Sequence, residues 1–154
     1  MLDSDDLTQW RKDEDMANTV VVGVDGTETS RKAAQRAAEV AQAFDAELVV
    51  LVAADPSMAV DVPSTGGPRM TAGEVADKIA EEIAAKLRET AKKVTTIVSQ
   101  GKPAEALVQE ATRLDARLIV VGNRRVQGIG RVLGSVAHAT VAHAPCDVLI
   151  VKTV

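Results

Sequence analysis

Five short runs rich in Val, Ile, Leu and Thr, separated by stretches with helical spacing, constrain this chain more than any other feature. The runs are 19–25, 47–53, 94–99, 117–121 and 147–151. Such runs, bounded by turn residues, suit strands buried on both faces. Between them, Ala33, Ala34, Ala37, Ala38, Val40, Ala41 and Phe44 mark the inward face of a helix that starts near Ser30. The segment Thr71-Ala72-Gly73-Glu74 has capping-box spacing, and Val75, Ile79, Ile83 and Leu87 follow along one stripe. A third helix opens at Gly101-Lys102-Pro103 with Leu107, Val108, Ala111 and Leu114 inward. A fourth covers 136–143 and stops at Ala144-Pro145. Strands alternating with helices predict an α/β fold, a parallel sheet with helices on both faces joined by right-handed crossovers. Ligands of such folds sit outside the carboxyl ends of the strands where the strand order reverses, so the loops after the first and fourth strands are the leading candidates for a joint site.

Composition narrows the functional classes. A chain of 154 residues fits one domain with a sizeable core. One Phe, one Trp and no Tyr leave no stacking platform for single-stranded nucleic acid. Residues 1–18 hold six acids against Arg11 and Lys12, which accounts for the whole formal charge of −4 and leaves 19–154 neutral. That domain has no global basic field, so no nucleic-acid partner is expected. The first 18 residues lack any period and read as a flexible acidic leader, either an extension without function or a stretch preceding an alternative start at Met16. No apolar run has the length of a membrane span and the acidic N-terminus does not resemble a secretion signal, so no membrane partner and a cytoplasmic location are expected. The lone Cys146 reads as a small buried apolar residue. Residues 55–69, with Pro56, Pro63, Gly66, Gly67 and Pro68, form an irregular connection that suits either a lid or partner contact, or disorder.

The chemistry concentrates after the fourth strand. Gly122, Gly128, Gly130 and Gly134 alternate with Arg124, Arg125 and Arg131, and the stretch 122–135 contains no acid. Glycine allows backbone N–H groups to approach an anion closely, and a helix starting near Gly134-Ser135 adds its positive dipole end. Ser135 suits either a helix cap or a phosphate contact. Asp25, beside Gly26, suits either a turn or a ligand contact. Arg124 and Arg125 are equally readable as solvated loop charges or phosphate contacts. His138 and His143 stand five positions apart, share a helix face poorly and make no metal pair. No nucleophile with a base, and no carboxylate cluster at metal spacing, is present to support catalysis.

Taken together, Val20-Val21-Val22-Gly23-Val24-Asp25-Gly26-Thr27, Val120-Val121-Gly122-Asn123, Gly134-Ser135-Val136 and Ala144-Pro145-Cys146-Asp147-Val148-Leu149-Ile150-Val151 resemble the universal stress protein family over 19–152. The resemblance implies a five-stranded parallel sheet in the order 3-2-1-4-5, a single domain over 19–154 and a homodimer paired through the last strand. As a terminal edge strand, that β-forming segment would itself invite pairing. It also implies an adenine nucleotide as regulatory ligand in stress response, ATP in the first place or else AMP or cyclic AMP, with or without Mg, and at most slow hydrolysis. The site so implied comprises Val24, Asp25, Gly26, Ala53, Gly122, Asn123, Arg124, Arg125, Gly134, Ser135 and Val136. Nucleotide-binding members share the pattern G-x2-G-x9-G-[ST]; here Gly122 and Gly134-Ser135 match its ends, Arg125 stands at its second glycine and the segment is one residue shorter. The alternative is a nucleotide-free dimeric interaction protein of the same fold in which Arg125 replaces the phosphate-loop glycine. The ATP-pyrophosphatase relatives of the fold would carry Ser-Gly-Gly-x-Asp-Ser after the first strand, where this chain has Asp25-Gly26-Thr27-Glu28-Thr29-Ser30.

Overall fold

The computed structural model describes residues 18–58, 70–123 and 133–153. Residues 1–17 of the leader 1–18, most of the irregular connection and the loop 124–132, with Arg124 and Arg125, lie outside these described residues. Five strands, β1 (Thr19–Val24), β2 (Glu47–Ala54), β3 (Val94–Gln100), β4 (Leu118–Asn123) and β5 (Asp147–Lys152), form one sheet in the order β3-β2-β1-β4-β5, and every pairing is parallel. The sheet topology agrees with the sequence expectation.

Among the described residues four α-helices connect the strands: α1 (Glu28–Ala43), α2 (Ala72–Leu87), α3 (Pro103–Arg113) and α4 (Ser135–His143). The first two cover one face of the sheet, where Ala33, Ala37, Ala76 and Ile83 join Val20, Val22, Val50 and Val120. The other two cover the opposite face, where Leu107, Ala111 and Ala137 pack with Val21, Leu51, Ile119 and Val121. Small side chains dominate both helix faces, so backbones and sheet approach closely without large interior groups.

Several local details differ from the sequence reading. Helix α1 begins two residues before Ser30, because Thr27 caps it by accepting from the Ser30 N–H at 3.2 Å. Phe44 is not on its inward face. It is the C-cap residue, 44% exposed, and its ring lies 4.2 Å from the guanidinium carbon of Arg117. In α2 the capping box forms as read, but the buried stripe is Ala76, Ala80, Ile83, Ala84 and Leu87, with Val75 and Ile79 only half-buried at its edge. The Glu74 carboxylate, accepting the Thr71 N–H, is held below the ordinary carboxylate range by that bond. A depressed folded pKa means that this contribution is present above the ordinary value and fades as pH falls through the folded one. Cys146 is half-buried against the α3 and α4 face, and burial, followed by the charge of Asp147, pushes its thiol above the usual value. Asn18, read as the end of the leader, already belongs to the fold: its side-chain amide donates to the Phe44 and Asp45 carbonyls at 3.1 and 2.8 Å.

Helices α1 and α3 end in the same way. Asp45 and Asp115 take left-handed φ values of 50° and 51°. Around them, Ala46 N–H donates to the Ala41 carbonyl at 2.8 Å and Ala116 N–H to the Ala111 carbonyl at 2.9 Å, the long bond of a Schellman turn. Aspartate tolerates this region less well than glycine. Asp45→Gly and Asp115→Gly should therefore each raise stability by about 0.5–1 kcal/mol, read from the urea midpoint at constant slope.

Candidate functional site

The chain leaves β1 toward β2 and β3 on one side, then returns to place β4 and β5 on the other. At this reversal β1 and β4 part company. Pairing between β1 and β2 persists to Val24↔Val52, and pairing between β4 and β5 to Asn123↔Lys152, whereas β1 and β4 pair only as far as Val22↔Val120. Beyond that point the two strands leave a cavity of about 180 Å³. Gly23, Val24 and Asp25 line it from β1 and its end, Val121 and Gly122 from β4, and Leu51 and Ala53 from β2. Three helix starts close it: Thr27, Thr29 and Ser30 of α1, Pro103 and Leu107 of α3, and Gly134 to Ala137 of α4.

Each helix start presents different chemistry. At α1, Thr27 donates its hydroxyl to Asp25 Oδ1 at 2.6 Å, while its own N–H reaches the same oxygen at 3.0 Å. Ser30 Oγ accepts from the Asp25 N–H at 3.3 Å and donates to the Thr27 carbonyl at 2.9 Å. Asp25 is thus built into an Asx-type turn that also lines the cavity, which satisfies the turn reading made from sequence. Helix α3 starts on Pro103, which has no N–H, and contributes apolar surface through Pro103 and Leu107. Helix α4 is different. Gly134 is its N-cap and supplies no side-chain cap, so the N–H groups of Ser135, Val136 and Ala137 have no acceptor within the helix and belong to residues that line the cavity.

The two glycines of the sequence pattern play different parts. A Cβ on Gly122 would lie 3.3 Å from Ala33 Cβ and 3.4 Å from both Thr153 Cγ2 and the Thr29 carbonyl oxygen, so its bareness lets α1 cross close over β4. Gly134, with φ −58° and ψ 157°, has a backbone open to any residue and lines the cavity. Of the residues expected from sequence, Val24, Asp25, Ala53, Gly122, Gly134, Ser135 and Val136 surround one cavity. Gly26 and Asn123 do not line it. Gly26, at φ +84°, faces Ile79 of α2. Asn123 accepts the Gly134 N–H at 3.0 Å through Oδ1. Sequence reasoning missed Gly23, Thr27, Thr29, Ser30, Leu51, Pro103, Leu107, Val121 and Ala137. Gly23 carried a signal, because an isolated glycine inside a strand marks close approach, and a Cβ there would come within 2.9 Å of Leu107 Cδ1. Among the described residues no group of three or more His, Cys, Asp and Glu is arranged to hold a metal ion, and no helix is long and apolar enough to cross a membrane.

A five-stranded parallel sheet with a cavity at the point where its strand order reverses defines an open α/β fold with a candidate ligand site. Its sequence matches the universal stress protein family over residues 16–152, and the chain belongs to that family. It is 33% identical over 147 residues to a universal stress protein of Methanocaldococcus jannaschii, an alignment covering 92% of this chain and 86% of the relative. A Mycobacterium tuberculosis universal stress protein is 37% identical over 141 residues, covering 88% of this chain and 96% of that one. Among solved structures, a universal stress protein in complex with cAMP superposes with a TM-score of 0.71 at 33% identity, covering 90% of this chain and 98% of the other.

The contrast between the two glycines is testable. Gly122→Val should cost about 1–3 kcal/mol by overpacking against Ala33 and Thr153, whereas Gly134→Val should leave the urea midpoint within about 0.5 kcal/mol of wild type.

Proposed function

We propose that this protein binds an adenine nucleotide in the cavity between β1 and β4, as a regulatory ligand rather than as a substrate for rapid turnover. The observation that carries the reading is the uncapped start of α4 at the rim of a cavity with an apolar wall. The free N–H groups of Ser135, Val136 and Ala137 and the dipole of α4 suit phosphate oxygens. Leu51, Ala53, Pro103 and Leu107 offer the apolar surface that a base requires. Asp25 would repel phosphate and accept from hydroxyls, which favours a bound orientation with ribose at the end of β1 and phosphate at α4. The similar universal stress protein solved with cAMP supports the ligand class. ATP is our first choice within that class, with AMP and cyclic AMP next. Mg would accompany a triphosphate through its own oxygens, since the described residues offer no ligand cluster. We propose at most slow hydrolysis, since the Thr27 hydroxyl that reaches Asp25 is engaged in capping α1.

The proposal extends to assembly and location. β5 lies at the sheet edge with Val148, Leu149 and Ile150 half-exposed, and we assign that edge to pairing with a second copy in the cytoplasm. Sedimentation at micromolar concentration should then give a dimer, and a monomer would remove the assignment.

Calorimetric titration with ATP, AMP and cyclic AMP tests the ligand. Wild type should bind at least one of them, and Gly134→Val, folded but with a branched side chain at the rim, should lose that binding. No heat from any of the three nucleotides would sink the reading. Unchanged affinity in the variant would move the phosphate away from α4.

A further inference from the structure

We propose that Asn123 is a positioning residue of this site, holding the start of α4 against the end of β4 so that its free N–H groups face bound phosphate. The inference rests on the nucleotide reading above and adds a role for a side chain that does not itself line the cavity. Asn123 is the last residue of β4, and its partner Gly134 is the N-cap of α4, so one hydrogen bond joins two points eleven positions apart in the chain. The bond has a definite polarity: Oδ1 accepts from the Gly134 N–H at 3.0 Å. That N–H precedes the helix, so occupying it leaves the N–H groups of Ser135, Val136 and Ala137 unspent and fixes the direction in which they point.

Asn123 is itself held from the other side. Its backbone carbonyl accepts from Thr153 Oγ1 at 3.0 Å, and Thr153 is buried, with its methyl carbon beneath Gly122. Register along β4 and β5 runs to Asn123↔Lys152, so the last residue of β4 is tied to the edge strand by both pairing and this hydroxyl. The carboxyl end of β5, Asn123 and the start of α4 therefore form one hydrogen-bonded chain beside the cavity. Replacing the Asn123 side chain would remove the link to α4 without adding bulk to the cavity. Phosphate recognition should suffer more than recognition of the base, which rests on Leu51, Ala53 and Leu107.

Comparing AMP with adenosine separates the two effects, because only AMP carries the phosphate. For Asn123→Ala the ratio of AMP to adenosine affinity should fall roughly tenfold relative to wild type, the scale of one lost hydrogen bond in a preorganised site. Asn123→Ser, whose oxygen sits one bond short of Gly134, should behave alike and serves if the alanine variant does not fold. Asn123→Asp keeps the acceptor. It should preserve slow exchange of the Gly134 amide, read by NMR, and lose AMP affinity only through its charge, a loss that added salt narrows. Equal losses for AMP and adenosine would make Asn123 a general structural residue and overturn the proposal. So would an unchanged ratio, or a rapidly exchanging Gly134 amide in wild type, with the nucleotide reading left standing in each case. Where ATP or cyclic AMP binds and AMP does not, that nucleotide takes the place of AMP in the ratio, and wild type that binds none of the three would overturn both readings.

Discussion

The early parting of β1 and β4 is the constraint on which the rest of the site depends. A fully paired sheet would fill its own carboxyl edge with backbone hydrogen bonds and leave no room for a ligand. Here β1 remains paired to β2 through Val24, and β4 to β5 through Asn123, so each strand keeps one ordered neighbour while the seam between them opens after Val22 and Val120. The seam falls where the strand order reverses, and three helix starts converge on it. The cavity is therefore a consequence of topology, and side chains only tune it.

The positive character of the rim also has a topological source. Beyond the acidic first 18 residues the chain is formally neutral, and among the described residues the cavity lining includes one acid, Asp25, and no basic side chain. Helix α1 spends the Ser30 N–H on the Thr27 side chain and carries Glu28 in its first turn. Helix α3 begins on a proline. Among the described residues, α4 alone brings three consecutive residues with unspent N–H groups to the cavity, so an anion entering the site meets an asymmetric field. That asymmetry, set against the Asp25 carboxylate, gives the site two distinguishable ends.

The fold was legible because its signals are local. Each strand announces itself by a β-branched run, and Thr71 and Glu74 lie three positions apart wherever their helix packs. The errors came where tertiary context decides between equal local choices. Val75 and Ile79 share a face with Ile83, but close packing on the sheet favours the neighbouring stripe of Ala76, Ala80 and Ala84, so the bulkier pair moves to the edge. Phe44 has the period of the α1 core, yet it falls after the last helical turn, where the chain bends and Arg117 covers its ring. About half of the cavity lining was invisible for a related reason. Leu51 and Leu107 read as ordinary core residues, and nothing in sequence says that the core opens beside them.

Gly122 and Gly134 show how one sequence pattern can carry two physical demands. Read as a motif, both glycines clear space for phosphate. In the structure the two differ: the missing Cβ of Gly122 faces Ala33 and Thr153, inside the packing of α1 on β4, while Gly134 has backbone angles that suit any residue and lines the cavity. The first glycine thus sets the distance between helix and sheet, and the second sets the access to α4. Asn123 stands between the two demands, with its carbonyl fixed to Thr153 beneath Gly122 and its side chain fixed to Gly134. Any displacement of α1 over Gly122 would therefore reach the start of α4 through two hydrogen bonds, which couples core packing to the geometry of the rim.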